Sequence, residues 1–345
     1  MKEKPKIPPE IRTLLSIMTS PSPPKKISPE IIEIARTTGV LDILGSNPAL
    51  RQNKEIRKYY MASAVLGAKK LEEFRIIANE FNKAGIPFAP LKGMAYGLMF
   101  ENGGPTRSMC DIDILVPPWF FKKACHTLAT LGYKGNYDIR SFISPGHNEI
   151  ALTKKDSNID LHKKFSPPIT LNFDYKEIWD RVITIEKEGI KFFRLSEEDN
   201  FLFHVIHIAN HRFLNTLRGF FEMRTIIIKD KPDFRVCSLR AKEWGCQNIV
   251  WCVIRIFEEL FPELIPLEII HLFEPPEYIK KIFNEILFDY FIQSLTAAHK
   301  NSNRIEPLIN FVFFDSKSRF IYYYGWKTFA KIIRFFFLKT KSIFS

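Results

Sequence analysis

Glycine is scarce in this sequence, 15 in 345 residues, against 32 phenylalanines. That balance argues against a fold of many short strands joined by glycine turns. It points instead to helices packed through bulky side chains. Cysteine is scarce too. Cys110, Cys125, Cys237, Cys246 and Cys252 are odd in number and scattered, with no C-x-x-C pair, so a disulfide framework is not expected. They read as reduced thiols of a cytoplasmic protein. No run of about 18 uninterrupted apolar residues occurs, so no membrane-spanning helix is expected. Met1 to Pro9 alternates Lys, Glu and Pro without an apolar core, which does not fit a signal peptide.

What is present is enough to fold. Apolar residues make up 46% of the chain, which excludes a fully disordered polymer. At roughly 150 residues per domain the length suits about two domains, or one with helical extensions. Fifty Lys and Arg against 38 Asp and Glu leave a net charge of +12. Such a surface suits nucleotides, nucleic acid or an anionic membrane, or is simply a soluble basic surface; charge does not choose among them.

Five regions follow from the patterning. Residues 1–28 read as a polar leader and linker, because Ser20 to Pro24 cannot hold a helix. Residues 29–82 read as helical, starting with Ser28 as N-cap and Pro29 in the first turn. Val65, Leu66, Leu71, Phe74, Ile77, Ala78 and Phe81 form one stripe, and Gly85 ends it. Residues 83–170 change character and predict a small α/β unit. Ile86 to Leu91 reads as an edge strand entering a turn at Lys92-Gly93, and Met94 to Phe100 as a short helix. Asp111 to Val116 alternates with period two. Trp119 to Leu131 is a helical pattern closed by Gly132. His147 to Thr153 and Asn158 to Phe165 read as two strands around a polar turn. Residues 171–310 return to helices, with Ser196 to Asp199 as a capping box and helical patterns over 216–229, 238–262 and 276–299. Residues 311–345 form a basic aromatic tail.

The chemistry concentrates in the α/β unit. Asp111 and Asp113 sit at i and i+2 of a strand, so both carboxylates project from one face about 7 Å apart at the Cα atoms. Asp160 lies on a later strand of the same unit. Crowded carboxylates repel unless a cation sits between them, and an oxygen-only set suits Mg²⁺ or Mn²⁺. Alone, a D-x-D pair can equally cap turns at a strand end. Leu91-Lys92-Gly93-Met94 precedes it at a strand-to-helix junction, where glycine lets backbone approach phosphate and Lys92 adds a charge, or where the chain simply turns. Arg107 is a second cation four residues before Asp111.

These residues resemble a known family. A strand, then L-K-G, a helix, a loop with G-x-x-R, D-I-D-I-L-V, a helix ending in L-G-Y, and I-D-L-H is similar to the uncharacterised nucleotidyltransferases of the polymerase-β-like superfamily. The likeness covers about Ile86 to Phe165 and extends more weakly to Arg224. It implies an α+β fold, a small mixed-sheet palm flanked by N- and C-terminal helical regions. It implies transfer of a nucleoside monophosphate from an NTP to a hydroxyl acceptor with two ions, Mg²⁺ or Mn²⁺. By that likeness Asp111, Asp113 and Asp160 are the metal-binding and catalytic carboxylates. Lys92 and Gly93 form the phosphate-side turn, and Arg107 orients phosphate or the loop. The chain departs from the superfamily at Met94, where a second small residue usually follows the glycine, and in the long gap from Gly93 to Asp111.

Further residues have two readings each. His162, two after Asp160, shares its strand face and can reach the site as a substrate-binding group or serve the structure; His147 lies on the partnering strand. His204, His207 and His211 share one helical face. No Cys or acid at suitable spacing completes a zinc set, so they are expected to line the cleft between palm and helices. Between Lys317 and Lys341 seven Lys or Arg alternate with aromatics. Residues 317–341 suit an anionic membrane surface, packing on the domain, or RNA, though no nucleic-acid motif accompanies them. The alternative to an enzyme is a non-catalytic module that docks a partner or an anionic membrane through this tail.

Overall fold

The computed structural model describes residues 7–24, 26–101, 107, 109–135, 148–155, 157–165, 171–211, 217–262, 264–295, 302–318 and 320–321. The chain is an α+β fold in which a five-stranded mixed sheet is flanked by helices from both ends of the sequence.

Four N-terminal helices come first: α1 (Pro9–Thr19), α2 (Pro29–Thr37), α3 (Leu41–Ser46) and α4 (Lys54–Lys83). Helix α1 corrects the expectation of a polar leader. Ile11, Leu14, Leu15 and Ile17 are buried on it, because Ile11, Leu14, Leu15 and Met18 repeat at helical spacing within a segment whose Pro and Lys content masks the stripe. Ser28 caps α2 as its sequence predicts, its Oγ accepting from Ile31 N–H at 3.4 Å. Helix α4 ends at Gly85, which takes φ +62°, a left-handed turn that glycine adopts without strain.

The sheet follows: β1 (Ala89–Pro90), helix α5 (Lys92–Phe100), β2 (Ile112–Leu115), helix α6 (Phe121–Thr130), β3 (Lys134–Gly135), β4 (Glu149–Lys154) and β5 (Ser157–His162). Strand order is β1-β2-β5-β4-β3, so the proline-bearing β1 is an edge, as expected. The central pair β2 and β5 is parallel, with Asp113 opposite Asp160 and Leu115 opposite His162. Strands β4 and β5 form an antiparallel hairpin that sets Glu149 opposite His162. Period-two alternation divides the faces. Ile112, Ile114, Ile150, Leu152, Ile159 and Leu161 pack under α4, α5 and α6 with Phe74, Phe81 and Leu98. Asp113, Asp160 and His162 therefore project from the other face, toward the remaining helices.

After the sheet, α7 (Tyr175–Asp180) leads into a hairpin, β6 (Ile183–Lys187) and β7 (Ile190–Arg194). This hairpin corrects the expectation of helices only beyond residue 171. Alternation across Ile183, Ile185, Ile190 and Phe192 about a Glu188-Gly189 turn, both residues at positive φ, carries the signal. Phe193 N–H donates to Phe88 O at 3.0 Å, so the hairpin covers the chain beside the exposed edge of the sheet. The C-terminal region comprises α8 (Glu197–Asn210), α9 (Leu217–Lys229), α10 (Phe234–Trp244), α11 (Gln247–Leu260), α12 (Leu267–His271), α13 (Glu277–Ile282), α14 (Phe288–Ser294) and α15 (Ser302–Phe313). The pattern over 238–262 is two helices rather than one, because Gly245 takes φ +70° and closes α10.

The N-terminal helices share one hydrophobic core with these C-terminal helices, Ile11 and Leu14 clustering with residues such as Phe220 and Trp251. All five cysteines are free thiols, four of them buried. Among the described residues no helix is long and apolar enough to cross a membrane. Lys317 donates to Phe311 O at 2.6 Å and Phe314 O at 2.8 Å, so the start of the basic tail packs on the domain. Residues 322–345, most of the predicted tail, lie outside the described residues, as does His147.

Candidate active site

The site is built by the β2–β5 register. Pairing Asp113 with Asp160 brings two carboxylates from distant sequence positions side by side, and His162 lies one same-face step further along β5. One ligand atom each from Asp113, Asp160 and His162 fall within 4.8 Å of one another. Asp113 and His162 are each only 4% exposed. Asp111 stands just ahead of β2, two residues before Asp113 and half-buried.

Asp113 is the hub. Lys92 Nζ donates to its Oδ1 at 2.6 Å, and His162 Nε2 donates to the same oxygen at 2.8 Å. The other ring nitrogen of His162 faces Glu149 Oε2 at 2.9 Å. With a carboxylate on each side, both ring nitrogens carry protons. Burial alone would lower the His162 pKa, but the hydrogen bonds to Asp113 and Glu149 outweigh it and push it up to about 9. Burial likewise opposes ionisation of Asp113, yet His162 and Lys92 hold its carboxyl below the ordinary aspartate range. The reverse holds for its neighbours. Burial first, and repulsion from Asp113 second, raise both Asp111 and Asp160. Two carboxyls pushed up beside a third that is ionised make an electrostatic well for a cation. Asp113 and Asp160 offer oxygen atoms that could hold a cation together, and Asp111 is not part of that group. His162, protonated between two carboxylates, acts as a support for Asp113.

Lys92 reaches Asp113 by a strained turn. It opens α5 at φ +47°, a left-handed conformation that costs a non-glycine residue roughly 1–2 kcal/mol. Leu91 N–H donates to Asp113 O at 2.9 Å, so the strand-to-helix junction is pinned to β2 and the lysine is aimed at the carboxylate. A Cβ on Gly93 would come 2.8 Å from Met109 Sδ and 3.1 Å from Arg107 Cζ, so the turn after Lys92 leaves no room for a side chain. Arg107 does not join the acidic cluster. Its guanidinium pairs with Glu222 on α9, which sequence spacing along the loop could not reveal.

Different partners divide the histidines of α8. His204 Nε2 donates to Gly219 O at 2.7 Å, a structural bond to α9, and burial lowers its pKa. His207 and His211 touch edge-to-face, ring centroids 4.6 Å apart. Burial, then the positive charge of Lys92, lowers both, while Asp113 acts in the opposite sense. These two rings thus feel the acidic site. The three histidines do not gather a metal set of their own; among the described residues the group that could hold an ion is the one at Asp113.

Sequence reading missed Glu149. An isolated acid at the start of a strand carries no motif, and only the hairpin register that sets it opposite His162 reveals it. Glu222 reads in the sequence only as a residue near the cleft without a role, because its pairing with Arg107 exists only across the fold.

A family model described as uncharacterised nucleotidyltransferase matches residues 28–262. No curated protein gives a significant match. Among solved structures, an antigenic nucleotidyltransferase-like protein from Paracoccidioides brasiliensis aligns over 60% of this chain and 94% of that chain, at 14% identity and a TM-score of 0.37.

Proposed function

The chain belongs to the uncharacterised nucleotidyltransferase family, and from that premise we propose that its acidic site moves a nucleoside monophosphate from an NTP to a hydroxyl acceptor and releases pyrophosphate. The observation that carries this reading is the meeting of Asp113, Asp160 and His162 on paired strands, with Asp111 beside them.

In this reading Asp111, Asp113 and Asp160 hold Mg²⁺ or Mn²⁺. The bound cations would neutralise the triphosphate and the charge that develops on the leaving pyrophosphate. The chain's own groups do the rest. Lys92 and His162 keep Asp113 ionised and fixed in position. Asp160, whose pKa is raised, takes the proton of the acceptor hydroxyl as its oxygen attacks the α-phosphorus. One P–O bond forms there while the bond to the β-phosphate oxygen breaks. Placement and charge complementarity supply most of the rate, as in phosphoryl transfer generally. His207 and His211, neutral beside Lys92, form the side of the site that α8 contributes.

One observation favours a second reading. Lys92 and His162 already neutralise Asp113 within the chain, as in a non-catalytic module that needs no ion. Pyrophosphate release separates the two. Protein incubated with each NTP, Mg²⁺ or Mn²⁺ and an extract of its source cells should release pyrophosphate, and the Asp111→Ala/Asp113→Ala variant should not. Equal release by the folded double variant rejects the catalytic reading.

A further inference from the structure

Farther along α5 from Lys92 lies a second, unassigned site. A cavity of about 400 Å³ opens between α3, α5 and α9. Its volume suits a small organic molecule. Three guanidinium groups line it, those of Arg51, Arg107 and Arg218, with the rings of Tyr60, Tyr96 and Phe100.

The hydrogen bonding of these arginines is incomplete. Arg218 pairs with Asp42 and Arg107 with Glu222. Among the described residues Arg51 has no carboxylate partner, and it lies over the Tyr60 ring, 5.0 Å from its centroid. The Nε atoms of Arg51 and of Arg107 are both buried without a hydrogen bond among the described residues, and both are closed to the cavity as well. Arg51 is therefore the guanidinium of this wall that no carboxylate among the described residues balances. Glu101 stands half-buried at the same wall and keeps the lining near charge balance. What is missing is therefore an acceptor-rich group. A carboxylate or phosphate oxygen pair bonds a guanidinium through two of its N–H groups, while the aromatic walls accept a flat or apolar body.

We propose that this cavity binds a small aromatic oxyanion, a carboxylate or a phosphate on a ring, with Arg51 and Arg107 holding the oxyanion and Tyr60, Tyr96 and Phe100 holding the ring. Tyr96 and Phe100 also line the narrow cleft beside Lys92 and His204, so the ring of the ligand lies against the helix that presents Lys92 to Asp113. The site stands on its own residues and does not depend on nucleotidyl transfer.

The test uses the full chain, free of divalent metal, with phenyl phosphate, benzoate and the uncharged benzamide as probes. Calorimetric titration should show phenyl phosphate or benzoate binding, whichever oxyanion the site prefers, and benzamide at least tenfold weaker. Arg51→Gln should weaken binding tenfold or more. Ser46→Trp, an exposed change at the mouth on α3 that leaves every arginine in place, should block it. Asp160→Asn should leave it unchanged. Failure of both oxyanions to bind overturns the proposal, as does equal binding of benzamide. So does undiminished binding by Ser46→Trp, which also decides the matter if Arg51→Gln fails to fold.

Discussion

At the scale of single residues, burial and charge are set against each other around Asp113 and His204, with opposite outcomes. Asp113 keeps its charge because Lys92 and His162 lie within hydrogen-bond distance. His204 loses its charge because burial dominates and the oxygen it bonds, Gly219 O, is an uncharged carbonyl. That difference gives a pH prediction. The folded state binds a proton on His204 less readily than the unfolded chain, whose histidines titrate near 6.5. The associated stability is therefore complete above about pH 6.5 and is lost as pH falls toward the depressed folded value. His162 titrates in the opposite sense and is common to both proteins, so the comparison is between the parent chain and a variant. From pH 7.5 to 5.5 the melting temperature of His204→Gln, which can still donate to Gly219 O, should fall less, or rise more, than that of the parent chain. An identical pH dependence in the two contradicts the assignment.

At the scale of elements, the caps and turns decide where helices begin and end, and these were the features most readable in the sequence. Ser196 Oγ accepts from Asp199 N–H at 3.2 Å and so starts α8, the helix that carries the histidines. Ser196→Ala should cost about 1 kcal/mol. Gly245→Ala should cost about 1–2 kcal/mol, because alanine is disfavoured at φ +70°. Urea denaturation of both variants checks these values, and an unchanged midpoint for Gly245→Ala rejects the left-handed cap. The D-x-D strand and the Asp160 strand were readable for the same local reason, period-two alternation. Other parts of the site depend on relations that local patterns do not carry. Glu149 acquires meaning only from hairpin register, and Arg107 only from its pairing with Glu222, 115 residues away. The packing of Met109 and Arg107 beside Gly93 is likewise invisible in the local signature. Helix α1 and the β6–β7 hairpin were obscured by their composition, one behind prolines and lysines, the other behind a charged outer face.

At the scale of the whole molecule, α4 joins two cores. Ile56 near its start belongs to the helical core, and Phe74, Ile77 and Phe81 near its end belong to the core beneath the sheet. The acidic site faces away from the sheet core toward the helices, so it needs both halves in place. A shared 30-residue helix predicts that they unfold together. Scanning calorimetry should show one transition with calorimetric and van't Hoff enthalpies equal. Two resolved transitions would mean that the helical region and the sheet fold separately.

The central claim is that the carboxylates on β2 and β5 transfer a nucleotidyl group. Parallel reactions with α-labelled and γ-labelled NTP test it most directly. The account predicts that α-label alone moves into an acceptor and that γ-label leaves as pyrophosphate. It also predicts that Asp160→Asn slows transfer by about 10²–10⁴-fold while the variant stays folded. Transfer of the γ-label, or undiminished α-transfer by Asp160→Asn, would contradict it.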